Sequence, residues 1–206
     1  MSVKTSMTIL YEVHGNLYVN LTNKCPCACT FCLRQNRDHM EASDSLWLSH
    51  TPTLSEVLAA FEQFDMSKYS EVVFCGFGEP TEALDVLLET ARFIKDRYGL
   101  PIRINTNGLG DLVNGKPVAP LLKGLIDTVS ISLNTPDPDR YFELVKPCFG
   151  RKSYAAMLQF AKDCTAYVPN VVMTTVGTTL SSEEEAQCAK ICEELGVRYR
   201  IRPFED

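Results

Sequence analysis

Apolar residues recur along this chain in two alternating rhythms. Short apolar-rich runs read as strands: NLYVNLT (residues 16–22), in which apolar and polar residues alternate, then EVVFCG, PIRINTNG, DTVSISLN, NVVMTTVG and VRYRIRP. A further run, TILYEVHGN, precedes the first, and its Gly15-Asn16 pair predicts a hairpin turn. These make six main strands with an N-terminal extra one. Between them, apolar residues return at helical spacing. Leu54, Val57, Leu58, Phe61 and Phe64 share one face behind a Thr53/Glu56 capping-box pattern, and Leu84, Leu87, Leu88, Ala91 and Ile94 repeat it. Ser181 and Ser182 ahead of three glutamates suit a helix start, and Gly196 suits a C-terminal cap. Strand alternating with helix implies a parallel sheet, either doubly wound or curled into a barrel.

Within the strands the second face is polar. Val129, Ile131 and Leu133 oppose Ser130, Ser132 and Asn134; Ile102 and Ile104 oppose Arg103, Asn105 and Asn107; Val197, Tyr199 and Ile201 oppose Arg198, Arg200 and Arg202. A doubly wound sheet is covered by helices on both faces and favours continuously apolar strands, so a polar second face favours a barrel-like sheet with a wet interior. Six strands leave such a barrel incomplete. The expected fold class is α/β, a partial (β/α)6 TIM-like barrel of parallel strands with an N-terminal extra strand. The longest irregular stretches, Arg34 to Pro52 and Asn134 to Lys152, follow strand carboxyl ends, where parallel α/β folds place their chemistry.

Composition narrows the class. A chain of 206 residues suits one domain, 1–206, with a sizeable core, and no repeat, low-complexity tract or linker divides it. Hydrophobic residues at 45% and charged residues at 22% exclude a disordered or fibrous chain. No run approaches the ~20 apolar residues of a membrane span, and the opening MSVKTSMTILYEVHG lacks a signal-peptide core. The expectation is a cytoplasmic protein without membrane contact, in which the Asn20-Leu21-Thr22 glycosylation sequon is incidental. A net charge of −6 argues against nucleic-acid binding through the overall field and leaves only a local patch for it.

Four of the nine cysteines crowd into NKCPCACTFCL, residues 23–33. In a reducing compartment this is metal or thiol chemistry rather than a disulfide framework. Cys25, Cys29 and Cys32 have the spacing Cys-x-x-x-Cys-x-x-Cys directly after the first core strand. Three thiolates can hold three irons of a cubane 4Fe-4S cluster and leave the fourth open to an outside ligand. Three other readings compete. A structural zinc site needs a second Cys or His pair, which Cys148, Cys164, Cys188 and Cys192 do not supply at an obvious spacing. A thioredoxin-like Cys29-Thr-Phe-Cys32 pair lacks the expected helix start. A cluster that only transfers electrons is the third. Cys27, inside the loop, is a substitute ligand, and Cys148 is an outlying thiol open to a role. Cys164, Cys188 and Cys192 read as core residues, and Cys75 as packing in an apolar strand.

The second core strand leads into CGFGEPTE. Gly76 and Gly78 let backbone approach a ligand, Pro80 fixes the chain, and Glu79 places a carboxylate at the strand end, suited with turned-out carbonyls to an ammonium group. Together the cysteine and glycine motifs resemble the radical SAM superfamily, and the resemblance runs through the strand order over nearly the whole chain. It implies that the open iron is chelated by the amino and carboxylate groups of S-adenosylmethionine (SAM), and that Gly78, Glu79 and Pro80 bind the methionine ammonium. Phe77 departs from the pattern, standing where the family has a first glycine. The resemblance also implies Phe31 beside the adenine, and Asn105, Asn107, Ser132 and Asn134 at the nucleoside or the methionine carboxylate. Arg202, in RIRPF, falls where the last strand contacts the cofactor. His39 and Trp47 lie in the loop after the cysteines, within reach of such a site.

The activity so implied is reductive cleavage of SAM to methionine and a 5′-deoxyadenosyl radical that abstracts hydrogen from a substrate. It requires no catalytic side chain beyond the cluster and SAM, and an electron donor such as flavodoxin or ferredoxin. Arg103, Arg198, Arg200 and Arg202 on the inward polar face point to an anionic substrate, against the alternative that they pair with acidic groups in the barrel. The short chain and its CPCACTFC loop are most similar to the small TatD-associated radical SAM proteins, which implies association with a TatD-family nuclease. The alternatives are a glycyl-radical activating enzyme, a small deazapurine synthase, or a non-catalytic iron-sulfur or zinc binding module.

Overall fold

The computed structural model describes residues 5–204; the first four residues, read above for a leader, and the last two lie outside the described residues. The chain divides into two compact units. The first runs through Cys25 and resumes over Phe31–Ile104, and the second takes Pro26–Thr30 and continues from Asn105.

In the first unit, β1 (Leu10–Val13) pairs antiparallel with β2 (Asn16–Val19), Val13 opposite Asn16. The turn is therefore His14-Gly15, one residue earlier than the expected Gly15-Asn16. Both residues have positive φ, 49° and 74°, as a two-residue primed turn requires. Parallel to β2 lies β3 (Val72–Phe74), and parallel to β3 lies β4 (Ile102–Thr106). All three residues of β3 are fully buried, which explains why this central strand reads as an unbroken apolar run. Helix α1 (Leu54–Phe61) opens with the expected capping box: the Glu56 amide donates to Thr53 Oγ1 at 3.3 Å, and the Thr53 amide donates to Glu56 Oε2 at 2.8 Å. Such a cap stabilises a helix by about 1 kcal/mol. The ring of Phe61 packs 5.8 Å from that of Phe93 on α2 (Leu84–Tyr98), which stops at Gly99 in the left-handed conformation, φ 65°.

The second unit holds α3 (Gly110–Asn114), β5 (Thr128–Ser132), α4 (Pro138–Val145), α5 (Lys152–Cys164), β6 (Asn170–Val176), α6 (Ser182–Leu195) and β7 (Arg198–Arg202). Its strands run parallel in the order β5-β6-β7, with Ser132 beside Thr174 and Thr174 beside Arg200. Helix α6 has the caps that Ser181 and Gly196 predict, completed by a reciprocal Ser181–Glu184 box. Two features depart from expectation. Helix α4 occupies much of the 134–152 stretch expected to be irregular: Asp137 accepts the Arg140 amide at 2.7 Å as N-cap, Pro138 takes the first helical position, and Lys146 at φ 46° ends it. Strand β7 does not bury Val197, Tyr199 and Ile201 as one face, since Ile201 is 43% exposed. It comes last in the strand order, and Tyr199 is held by a 2.6 Å hydrogen bond between its hydroxyl and that of Thr175. Among the described residues, no helix is long and apolar enough to cross a membrane.

Candidate functional site

The carboxyl end of β2 builds the part of the site that belongs to the first unit. Val19 O accepts the Cys75 amide at 3.1 Å, so β3 leaves the sheet beside Asn20. The turn that follows is pressed onto the extension of β2. A Cβ on Gly76 would lie 2.1 Å from Asn20 Oδ1, and one on Gly78 would lie 2.1 Å from Thr22 O and 2.7 Å from Lys24 O. Gly76 thus lets the turn close on the Asn20 side chain, and Gly78 lets backbone meet backbone. One residue on, the Glu79 amide donates to Lys24 O at 2.8 Å, immediately before Cys25. The Glu79 carboxylate, only 4% exposed, accepts from the Thr81 amide at 3.2 Å and the Thr81 hydroxyl at 2.9 Å. Pro80 opens a short 3-10 turn that leads into α2.

Phe77 has its own role. Its side chain leaves the turn and is buried with Tyr11, Val13 and Leu46, its ring edge-on to Trp47 at 5.3 Å. The guanidinium of Arg34 lies 6.0 Å from the Trp47 ring and donates a long 3.4 Å hydrogen bond to Phe77 O. Asn23 grips the same loop in both directions, donating to Leu48 O at 2.8 Å and accepting the Leu48 amide at 3.0 Å. Trp47 therefore packs against the glycine turn through Phe77. His39 is exposed and engages Asp38 at 2.6 Å.

The middle of the cysteine loop, Pro26–Thr30, is anchored in the second unit. The Ala28 amide donates to Val145 O at 3.1 Å and the Thr30 amide to Leu144 O at 2.8 Å, while Pro26 O accepts the Cys148 amide at 2.8 Å. The last turn of α4 has carbonyls without helical partners, and the loop amides supply donors to them. Cys27, opposite Pro147, is 4% exposed, whereas Cys25, Cys29 and Cys32 are each half-buried. Cys25 and Cys32 belong to the first unit and Cys29 to the second, and among the described residues no three His, Cys, Asp or Glu side chains form a ready metal site.

The other candidates in this unit stand near strand ends. Leu133 and Asn134 both donate their amides to Thr174 O, at 2.9 and 3.3 Å, with Asn134 in the left-handed region at φ 67° and its Nδ2 donating to Ser132 O at 3.3 Å. Asn107 Oδ1 accepts the Leu109 amide at 2.9 Å, which commits that oxygen to the turn after β4. Asn105 is half-buried. Arg202 is exposed, and its carbonyl accepts the Gly177 amide at 2.7 Å. The expected arginine set separates. Arg103 is engaged by Glu71 through bonds of 2.9 and 3.0 Å; burial works against its charge, but Glu71 and Tyr18 together outweigh burial and raise its pKa. Arg198 donates to Asn170 Oδ1 at 3.1 Å.

The donor chemistry fits an iron-sulfur cluster: Cys25, Cys29 and Cys32 are half-buried thiols at iron-binding spacing along the chain, and in the first unit the turn that carries the buried Glu79 carboxylate is docked on Lys24. Phe31, beside the third thiol, is 49% exposed and presents an aromatic face. Asn20, Asn23 and Thr81 fix this arrangement without having been singled out from the sequence; their place just after a strand end marks the two asparagines, and no such signal marks Thr81.

Residues 19–192 match the family model described as Radical SAM superfamily. The chain is similar to GTP 3′,8-cyclase of Corynebacterium glutamicum (strain R), 33% identical over 142 residues, covering 66% of this chain and 35% of the relative. The chain thus spans about a third of the length of the curated relatives it matches. Among solved structures it resembles Streptococcus suis SuiB bound to precursor peptide SuiA, with TM-score 0.67 and 21% identity over 91% of this chain and 39% of that one. It also resembles a radical SAM methyltransferase from Sphaerobacter thermophilus, with TM-score 0.65 and 16% identity over 94% and 57%. These likenesses show the fold, a mostly parallel α/β arrangement consistent with the expected partial TIM-like barrel.

Proposed function

We propose a function from one premise: the chain belongs to the radical SAM superfamily. Members of that family are enzymes that use a 4Fe-4S cluster and SAM, and here the thiols of Cys25, Cys29 and Cys32 would hold the cluster. When bound, the cluster and SAM supply reductive cleavage of the sulfonium and, through it, removal of a hydrogen atom from a substrate C–H bond. The chain's own residues bind and orient. The Glu79 carboxylate, with the carbonyls of the Gly76–Pro80 turn, takes the methionine ammonium; Phe31 offers its exposed face to adenine. Asn105, Asn107, Ser132, Asn134 and Arg202 supply polar contacts to the nucleoside and the methionine carboxylate.

The observation that carries this reading is the docking of the glycine turn on Thr22–Lys24, which sets the Glu79 amide 2.8 Å from Lys24 O, one residue before Cys25. The substrate in this reading is anionic. Arg200 and Arg202 stand exposed on β7, and the relative from Corynebacterium glutamicum carries GTP, a nucleoside triphosphate, in its name. An electron donor such as flavodoxin or ferredoxin serves the cluster, in the reducing cytoplasm that suits free thiols. The cysteine loop's similarity to the small TatD-associated proteins extends the proposal to a TatD-family nuclease as a partner, to be sought by co-purification.

The test is anaerobic reconstitution with iron and sulfide, followed by SAM and dithionite, with 5′-deoxyadenosine measured beside a Cys25→Ala, Cys29→Ala, Cys32→Ala protein. Formation that depends on the three thiols is expected. A loaded cluster that never cleaves SAM would favour a non-catalytic binding module instead.

A further inference from the structure

Asn20 is fully buried, yet its Oδ1 has no hydrogen-bond partner. The orientation of the carboxamide is not arbitrary. Nδ2 donates to Thr8 O at 3.2 Å and to Leu46 O at 2.8 Å, and the flipped carboxamide would set oxygen against two carbonyl oxygens. Oδ1 must then face away from both, and what it faces is the α-carbon of Gly76, where a Cβ would come within 2.1 Å of Oδ1 and 2.7 Å of Cγ. Only a Cα–H contact can answer it there, and that is weaker than the hydrogen bond it replaces.

A leucine at position 20 would fill a similar volume without burying an unanswered acceptor. The carboxamide does what leucine cannot: one side chain ties the approach to β1 at Thr8 to the loop that carries Leu46 and Trp47, and so holds its oxygen fixed against the start of the glycine turn. The turn thus rests on the β2 extension at two places, Gly76 on Asn20 and Gly78 on Thr22 and Lys24. Between them, Phe77 points out into the Tyr11, Val13 and Leu46 cluster. The depth of the turn, and with it the position of Glu79 beside Cys25, is set by these two seats.

We propose that Asn20 is a positioning residue for SAM recognition, acting through Gly76 to seat the turn that carries Glu79. This rests on the reading of that turn as the SAM ammonium site. Asn20 itself is fully buried and acts through the turn.

The experiment is a double-mutant cycle of Asn20→Ala, Gly76→Ala and the pair together. Three quantities are measured: hydrogen exchange of the Glu79 amide in cluster-free protein, SAM binding by the change in the electron paramagnetic resonance of the reduced, reconstituted protein, and thermal stability. Gly76→Ala drives a Cβ into a fixed carboxamide, so Glu79 exchange is expected to quicken and SAM affinity to fall by about tenfold or more. Asn20→Ala removes the obstacle, so the double variant is expected to outperform Gly76→Ala in both readouts. Effects that simply multiply, or a lowered melting temperature with Glu79 exchange and SAM affinity unchanged, overturn the proposal. If Gly76→Ala does not fold, recovery of folded protein in the double variant is the readout, and its failure to recover counts against the inference. If even the unaltered protein does not bind SAM, the reading of the turn fails, while exchange at Glu79 still decides whether Asn20 seats it.

Discussion

The amide of Thr30 donates to the carbonyl of Leu144 at 2.8 Å, so the cysteine loop leans on the last turn of α4. Weakening that helix should loosen the loop. Asp137→Ala removes the N-cap of α4, a loss of about 1 kcal/mol. The expected result is a melting temperature lower by a few degrees, together with faster loss of iron to a chelator. Unchanged iron retention in the destabilised variant would count against the anchoring role.

Gly78→Ala should separate cofactor binding from cluster assembly. Its Cβ would meet the backbone of Thr22 and Lys24, which cannot swing aside as a side chain can. The reconstituted variant is expected to keep its visible iron-sulfur absorbance and lose the spectral response to SAM. Both are read on one sample.

The cysteines of the loop should sort by burial. Cys25→Ala, Cys29→Ala and Cys32→Ala each remove a half-buried thiol and are expected to abolish the cluster. Cys27 is almost fully buried, so Cys27→Ala should cost about 1–2 kcal/mol of stability and leave the iron content intact. Iron and sulfide per chain, measured beside melting curves, distinguish the two outcomes.

Stability should be flat near neutrality and fall on both sides. Hydrogen bonds from the Thr53 amide, then its hydroxyl and His50, hold the Glu56 carboxyl down to about 2. That contribution is complete above the ordinary glutamate value and disappears as pH drops through about 2. Burial pushes Cys164 and Cys192 up to about 12 and Cys188 up to about 11. Their contribution is complete below the ordinary thiol value and is lost as pH rises through those values. Circular dichroism melts across the range check both limbs, and Glu56→Gln should flatten only the acid one.

Two arginines should behave oppositely. Arg103→Gln leaves Glu71, 24% exposed, without its charged partner, and is expected to cost about 1–3 kcal/mol without changing the competition between anionic and neutral compounds for the protein. Arg202→Gln, at an exposed strand end, should leave stability within about 0.5 kcal/mol and weaken binding of the anions. Equal competition by anionic and neutral compounds in the unaltered protein would remove the case for an anionic substrate.

Much of this arrangement is legible in the order of residues, and the exceptions have physical causes. The strands around Val72, Ile104 and Ile131, and the caps at Thr53, Ser181 and Gly196, follow from local periodicity and local hydrogen bonding, both written within a few residues. The cysteine spacing is legible for the same reason. Helix α4 is marked by Asp137 and Pro138 at its start, but it is short and its turn-rich entry hides it. The burial of Cys27 and the grip on Thr30 depend on residues far along the chain, which no local pattern contains. Phe77 reads as a flaw in a glycine motif until Trp47 and Leu46 are seen to receive it. Ile201 shows the reverse, an alternating strand whose apolar residue stays 43% exposed.

The bond between Thr30 and Leu144 has a consequence in time. The two residues stand 114 positions apart, so while the chain is being made at ~5–20 residues per second, its cysteine segment waits several seconds for the carbonyls that will hold it. Contacts of such long range also form slowly in refolding. Oxygen or a stray metal would meet these thiols most readily in the newborn chain, before α4 has emerged to pin the backbone between them.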